Sequence, residues 1–211
     1  MWSDQVIAYC ERTDLSFWAE PVNAVTNAAF VIAAAVMWPR VAGRPMGQAL
    51  CVVLAVIGVG SFLWHTHATR WAGLMDVLPI LGFILLYLFA ATRDFLRLGS
   101  GLSLLAVALF LPYAFVVGWA LGRIVPGLGA NAAYISVALL IAIYALVLRG
   151  AVGRSLLIGA GLLALSLAFR MADAAVCDIV PIGTHFMWHL LNALMLGWMI
   201  ETWRRHAPLR A

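Results

Sequence analysis

Long apolar blocks separated by short polar breaks dominate the chain. Seven of these blocks are long enough to cross the roughly 30 Å of hydrocarbon in a bilayer as helices: 22–38, 48–65, 74–91, 102–121, 130–148, 155–172 and 185–202. The pattern predicts an all-α membrane protein, a seven-helix transmembrane bundle forming a single domain over 1–211. An N-terminal segment (1–20) and a short tail (203–211) flank it. The sixth block is interrupted by Ser155, Ser166 and Arg170, and the first is short unless Pro21 opens it, so six helices is the alternative count.

Composition agrees with lipid and excludes a soluble globular domain: 65% of the residues are hydrophobic, 10% are charged, and the mean hydropathy is +1.01. The sequence has no lysine, so orientation rests on arginine. With the N-terminus outside and the C-terminus cytoplasmic, Arg40, Arg44, Arg93, Arg97, Arg149, Arg154, Arg204, Arg205 and Arg210 fall inside, and Arg12, Arg70, Arg123 and Arg170 outside. That excess inside favours N-out. The acids lean the other way, with only Asp94 and Glu201 inside, which marks the outer end as the polar one. Residues 1–20 carry Asp4, Glu11, Asp14 and Glu20 and do not read as a signal peptide. The net charge of +4 is accounted for by the inner loops, so it implies no nucleic acid. The compact, lysine-free composition reads as that of a multi-pass protein of a bacterial inner membrane.

Chemistry concentrates in two stretches, Gly58–Asp76 and Thr184–His189. Ser61 and His65 are four apart, as are His185 and His189, a spacing that puts each pair on one helix face. The topology brings both pairs, with Asp76 at the start of the third helix beyond the turn 66–73, to one depth near the extracytoplasmic leaflet. Ionisable groups in apolar segments survive where they meet each other, a metal or a substrate path. Three imidazoles leave a zinc ion a fourth position for water, the arrangement of a catalytic site. Asp76 is placed to take a proton from that water, and Ser61 to donate to a developing oxyanion; a nucleophilic Ser61 is the competing role. His67 faces elsewhere and reads as an interfacial histidine.

Glu20, Asn23 and Glu11 or Asp14 could supply oxygens to a hard cation such as calcium, whereas Asn23 and Asn27 on one face could instead bond to neighbouring helices. Gly58 and Gly60 allow close helix approach. Arg170 and Asp173, three apart, can form an ion pair or act on the substrate. Cys51 reads as a buried thiol; Cys10 and Cys177 lie on the outer side, as a disulfide or as two free thiols.

In order along the chain, Cys10-Glu11, Ala19-Glu20 with Asn23 and Asn27, Gly60-Ser61 with His65, Asp76, Arg170 with Asp173 and Cys177, and His185-Phe-Met-Trp-His189 resemble the alkaline ceramidases. These are seven-helix intramembrane zinc amidases related to the progestin and adipoQ receptors. The resemblance implies hydrolysis of ceramide to a sphingoid base and a fatty acid, with zinc on His65, His185 and His189 and with Ser61 and Asp76 at the oxyanion and base positions. It also implies a calcium site in the N-terminal segment, to which Glu11, Glu20 and Asn23 correspond. There the chain departs from the family: Ala8 and Arg12-Thr13 replace acidic or amide residues, and the Glu11–Glu20 gap is shorter.

The leading expectation is therefore a zinc-dependent hydrolase of ceramide or another N-acyl lipid drawn from the membrane. The alternative is a seven-helix receptor or lipid-binding protein with structural zinc. A transporter is disfavoured by the lack of an internal repeat or paired broken helices.

Overall fold

The computed structural model describes residues 1–208; Arg210 and the end of the predicted 203–211 tail lie outside the described residues. The helices are α1 (Pro21–Thr26), α2 (Ala28–Met37), α3 (Pro45–His67), α4 (Arg70–Asp94), α5 (Ser100–Ile124), α6 (Asn131–Leu148), α7 (Gly150–Val176) and α8 (His185–His206). A 3-10 turn over Pro39–Val41 follows α2. The described residues contain no strand, only an isolated bridge between Gln5 and Thr69.

Six rods are long and apolar enough to cross a membrane: Pro21–Val41, which joins α1, α2 and the 3-10 turn, and α3 to α7. The chain is an all-helical, multi-pass membrane protein. Pro21 opens the first rod, where its missing N–H costs nothing. The sixth block, expected to be the weakest, is one unbroken 27-residue helix. The seventh differs: α8 is 22 residues long but is not among the apolar rods. It carries His185, His189, Asn192, Glu201 and Thr202, all of them buried inside the protein rather than facing lipid.

From α2 to α8 each helix packs on the next, and α8 closes the ring against α2 and α3. Glycines permit the tightest of these approaches. A Cβ on Gly58 would stand 3.0 Å from the Asn27 carbonyl oxygen, and one on Gly60 would overlap the Met75 carbonyl oxygen of α4. The α3–α4 connection is correspondingly abrupt. It consists of Ala68, in a left-handed conformation at φ 49°, and Thr69, so the turn predicted over 66–73 is mostly helix. Asp76 lies two turns into α4 rather than opening it, and Pro79 sits within that helix.

A disulfide joins Cys10 to Cys177, with Cα atoms 5.2 Å apart across 167 residues of sequence, and Cys51 is a free, buried thiol in α3. The N-terminal segment is thereby fastened over the end of the bundle where α3 finishes and α8 begins. Thiol labelling of denatured, unreduced protein should modify Cys51 alone, and all three cysteines after reduction. Cys10→Ser should lower stability by about 2–4 kcal/mol, measured as a drop in thermal midpoint; labelling of all three without reductant would contradict the bridge.

Candidate metal centre

The last turns of α3 and the first turns of α8 meet at one end of the bundle and bring the two i, i+4 pairs together. His65, His185 and His189 are all buried. Their ring centroids are 4.7 Å apart for His65–His189 and His185–His189, and 5.2 Å for His65–His185. One potential ligand atom from each lies within 4.8 Å of the other two, the one such convergence of His, Cys, Asp or Glu side chains among the described residues.

Hydrogen bonds occupy one ring nitrogen each of His65 and His189. Nδ1 of His65 is 2.5 Å from Glu20 Oε2, a carboxylate that can only accept. Nδ1 of His189 is 2.9 Å from Thr26 Oγ1, whose single proton is directed at the carbonyls of Val22 and Asn23. Both Nδ1 atoms therefore donate, and in the neutral rings the lone pairs fall on the two Nε2 atoms. Those atoms are buried with no hydrogen-bond partner, as is Nδ1 of His185. Buried polar nitrogens without partners are rare because each costs desolvation energy. Three imidazoles converging with unpartnered ring nitrogens form, in their neutral state, the donor set that zinc takes, with a fourth position open to water. The residues present fit that ion.

Neighbouring groups fix the rings. Tyr9 stacks on His185 at 3.7 Å between centroids, and burial pushes its hydroxyl up to about 12, so it stays protonated. Asp173 of α7 accepts from the backbone N–H groups of Thr184 and His185 at 2.7 and 2.9 Å, capping the start of α8, and from that of Cys10 at 3.1 Å. The ion pair expected between Arg170 and Asp173 does not form, because Asp173 is turned toward these amides. Arg170 stacks instead between Tyr134 and Trp188, at 5.1 and 4.9 Å. Ser61 is buried one turn before His65, and the Asp76 carboxyl lies within interaction range of Ser61, His65 and Arg170. Gly60 makes that neighbourhood, since only glycine lets the Met75–Asp76 backbone approach α3 so closely. His67 stays outside the triad, packed on Phe17 and Trp71.

The N-terminal carboxylates are engaged otherwise than a calcium site requires, and of the side-chain oxygens there only those of Asn23 and Asn27 are buried without a partner. Glu11 accepts from the first-turn amides of Val22 and Asn23 at 2.7 and 2.8 Å, and Glu20 accepts from Arg12, His65 and Asn23. Asn27 bonds back to the Asn23 carbonyl at 2.8 Å rather than to another helix. Asp14 accepts from the Ser16 amide at the surface. With Arg12 already on Glu20 and Glu11 held by amides, two free amide oxygens are too few for the six to eight that calcium takes, and the residues present do not fit it.

Tyr9, Arg12 and Thr26 were not assigned roles from sequence. The Cys10–Cys177 link is the one signal that could have placed Tyr9 and Arg12 beside α8, and Thr26 offered none. Comparison with known protein families and with curated proteins finds no match for the chain. Losing an outer partner of a metal-bound histidine typically costs 10–100-fold in metal affinity, so Thr26→Val and Glu20→Gln should each weaken zinc binding by about tenfold or more, measured by chelator competition. Unchanged affinity in both variants would remove these groups from the centre.

Proposed function

We propose that the protein is a zinc-dependent intramembrane amide hydrolase that cleaves ceramide or a related N-acyl lipid to a long-chain base and a free fatty acid. The observation that carries this reading is the convergence of three buried imidazoles with unpartnered nitrogens beside Asp76 and Ser61. The resemblance to the alkaline ceramidases supports it. Two apolar cavities inside the ring are consistent with a lipid substrate. One is lined by Tyr134, Trp188 and Asn192 near the triad, and the other by Tyr87, Tyr144 and Met199 farther along the bundle. Ile84, Val137, Met195 and Leu196 line both, a path suited to an acyl chain.

In this reading α8 is the seventh crossing. Its 22 residues span about 33 Å at 1.5 Å per residue, and its polar groups are sheltered by α2, α3 and α7. The N-terminus is outside, the C-terminus is cytoplasmic and the centre lies near the extracytoplasmic leaflet, as the arginine distribution favours; the lysine-free composition suits a bacterial inner membrane.

His65, His185 and His189 would hold the zinc, which when bound polarises a carbonyl and lowers the pKa of its water to about 7. Asp76 accepts the proton that the attacking water loses and returns it to the departing amine nitrogen. Ser61 donates its hydroxyl hydrogen to the oxygen on which charge develops. Tyr9, stacked on His185, helps to exclude bulk water from the rings.

Purified protein incubated with ceramide should release free fatty acid, and a chelator should abolish the release. Asp76→Asn should retain zinc and lose at least about 100-fold in turnover, since general-base assistance is worth about 10² to 10⁴; Ser61→Ala should lose less. Zinc loss in Asp76→Asn would make the carboxylate a support of the metal. Intact zinc with no turnover of any N-acyl lipid would favour the receptor reading.

A further inference from the structure

Arg12 is a buried arginine in a segment that is otherwise largely exposed, and its side chain has no solvent exposure. Every nitrogen of its guanidinium has an oxygen partner. Nε donates to Glu20 Oε1 at 2.5 Å, Nη1 to the carbonyls of Asp14 and Ser16 at 3.3 and 3.2 Å, and Nη2 to the carbonyl of His65 at 2.9 Å. These four acceptors come from the N-terminal segment, the entrance to α1 and the end of α3. One cation joins all three.

Two of the contacts converge on one metal-binding histidine. The His65 carbonyl is in the last turn of α3, where helix carbonyls lack an intrahelical partner and a cation is favoured by the helix dipole. Arg12 satisfies it directly. Through Glu20, whose other oxygen accepts from Nδ1 of His65, Arg12 also holds the imidazole ring. His65 is thus gripped at its backbone and at its side chain by the same guanidinium. Without Arg12, Glu20 would be a buried carboxylate with no full counter-charge and a freer choice of orientation.

Calcium would need six to eight oxygens at 2.3–2.6 Å. Here Glu20 and three carbonyls instead surround a rigid fork of N–H donors, Glu11 is engaged with the α1 amides, and of the buried side-chain oxygens there only those of Asn23 and Asn27 are left without a partner. We propose that Arg12 is a built-in cation that positions His65 for metal binding, so that the N-terminal segment of this chain organises the centre without a calcium ion. The positioning role rests on the zinc reading of the triad and not on the hydrolytic reaction.

The test uses the full-length protein, with zinc affinity from chelator competition, the d–d absorption of the cobalt(II) form, and thermal midpoints in calcium chloride or a calcium chelator. In the parent, calcium should change neither midpoint nor zinc affinity. Arg12→Ala should weaken zinc by about tenfold or more and alter the cobalt spectrum, and Arg12→Lys should recover part of both, having the charge but not the fork. A saturable rise of the parent's midpoint with calcium would overturn the proposal, as would parental zinc affinity and cobalt spectrum in Arg12→Ala. A parent that binds no zinc would defeat the metal reading and the positioning role together, while the calcium titration still judges whether Arg12 is the resident cation. If Arg12→Ala does not fold, Arg12→Lys and the parent's calcium response decide.

Discussion

Burying three imidazoles away from water is the constraint on which the rest of the structure depends. A neutral imidazole has one N–H and one lone pair, and in an apolar interior each must be matched or its desolvation goes uncompensated. The spanning helices supply little for this purpose. The acceptors come from the start of the first rod and the segment before it, Thr26 for His189 and Glu20 for His65. The N-terminal segment must therefore fold over the end of the bundle, and the Cys10–Cys177 bridge and the Asp173 contact to Cys10 hold it there. What looks in sequence like a short acidic segment supplies, through Glu20, the acceptor that orients the His65 ring.

Two helix ends also face each other at this point, and their fields differ in sign. α3 arrives with its C-terminal carbonyls and α8 departs with its N-terminal amides. Arg12 meets the first and Asp173 the second. Each charge thus caps a helix end and orients a neighbouring histidine. This explains why Arg170 and Asp173 ignore each other despite their spacing: an acceptor is needed by two amides at the start of α8, and the Arg170 guanidinium finds the faces of Tyr134 and Trp188.

Much of this was legible in the chain. The blocks at 48–65, 102–121 and 130–148 became helices that extend them by a few residues or coincide with them, because apolar runs of that length have few alternatives in lipid. The i, i+4 spacings placed His65, His185 and His189 on the right faces, and the alternation of crossings brought them to one end. Asp76 beside Ser61 was expected from depth alone, but the reason for their closeness, Gly60 against the Met75 backbone, is a packing fact that no spacing reveals. The roles of Arg12 and Thr26 were invisible for another reason. Each bonds mostly to neighbours in sequence, and the one contact that ties it to the centre is with a residue more than forty positions away, which nothing local in the sequence reveals.

The instructive departure is α8. A hydropathy count finds six crossings and omits this helix, yet α8 supplies two of the three imidazoles. The omission follows from the chemistry. A helix that offers His185, His189 and Asn192 to the interior and Glu201 to Arg204 and Arg205 at its far end cannot also have a high average hydropathy. Its polar groups are tolerated because its neighbours, not lipid, surround them: α7 and α2 pack along its sides, and α3 meets it at the triad. The wall helices show the opposite balance. α5 exposes Leu105, Leu109, Phe115 and Val116 and is among the most apolar rods. Averaged hydropathy does not track burial alone, since the well-buried α3 is nearly as apolar as α5; it is low in α8 because that helix buries polar groups, and α8 carries most of the centre.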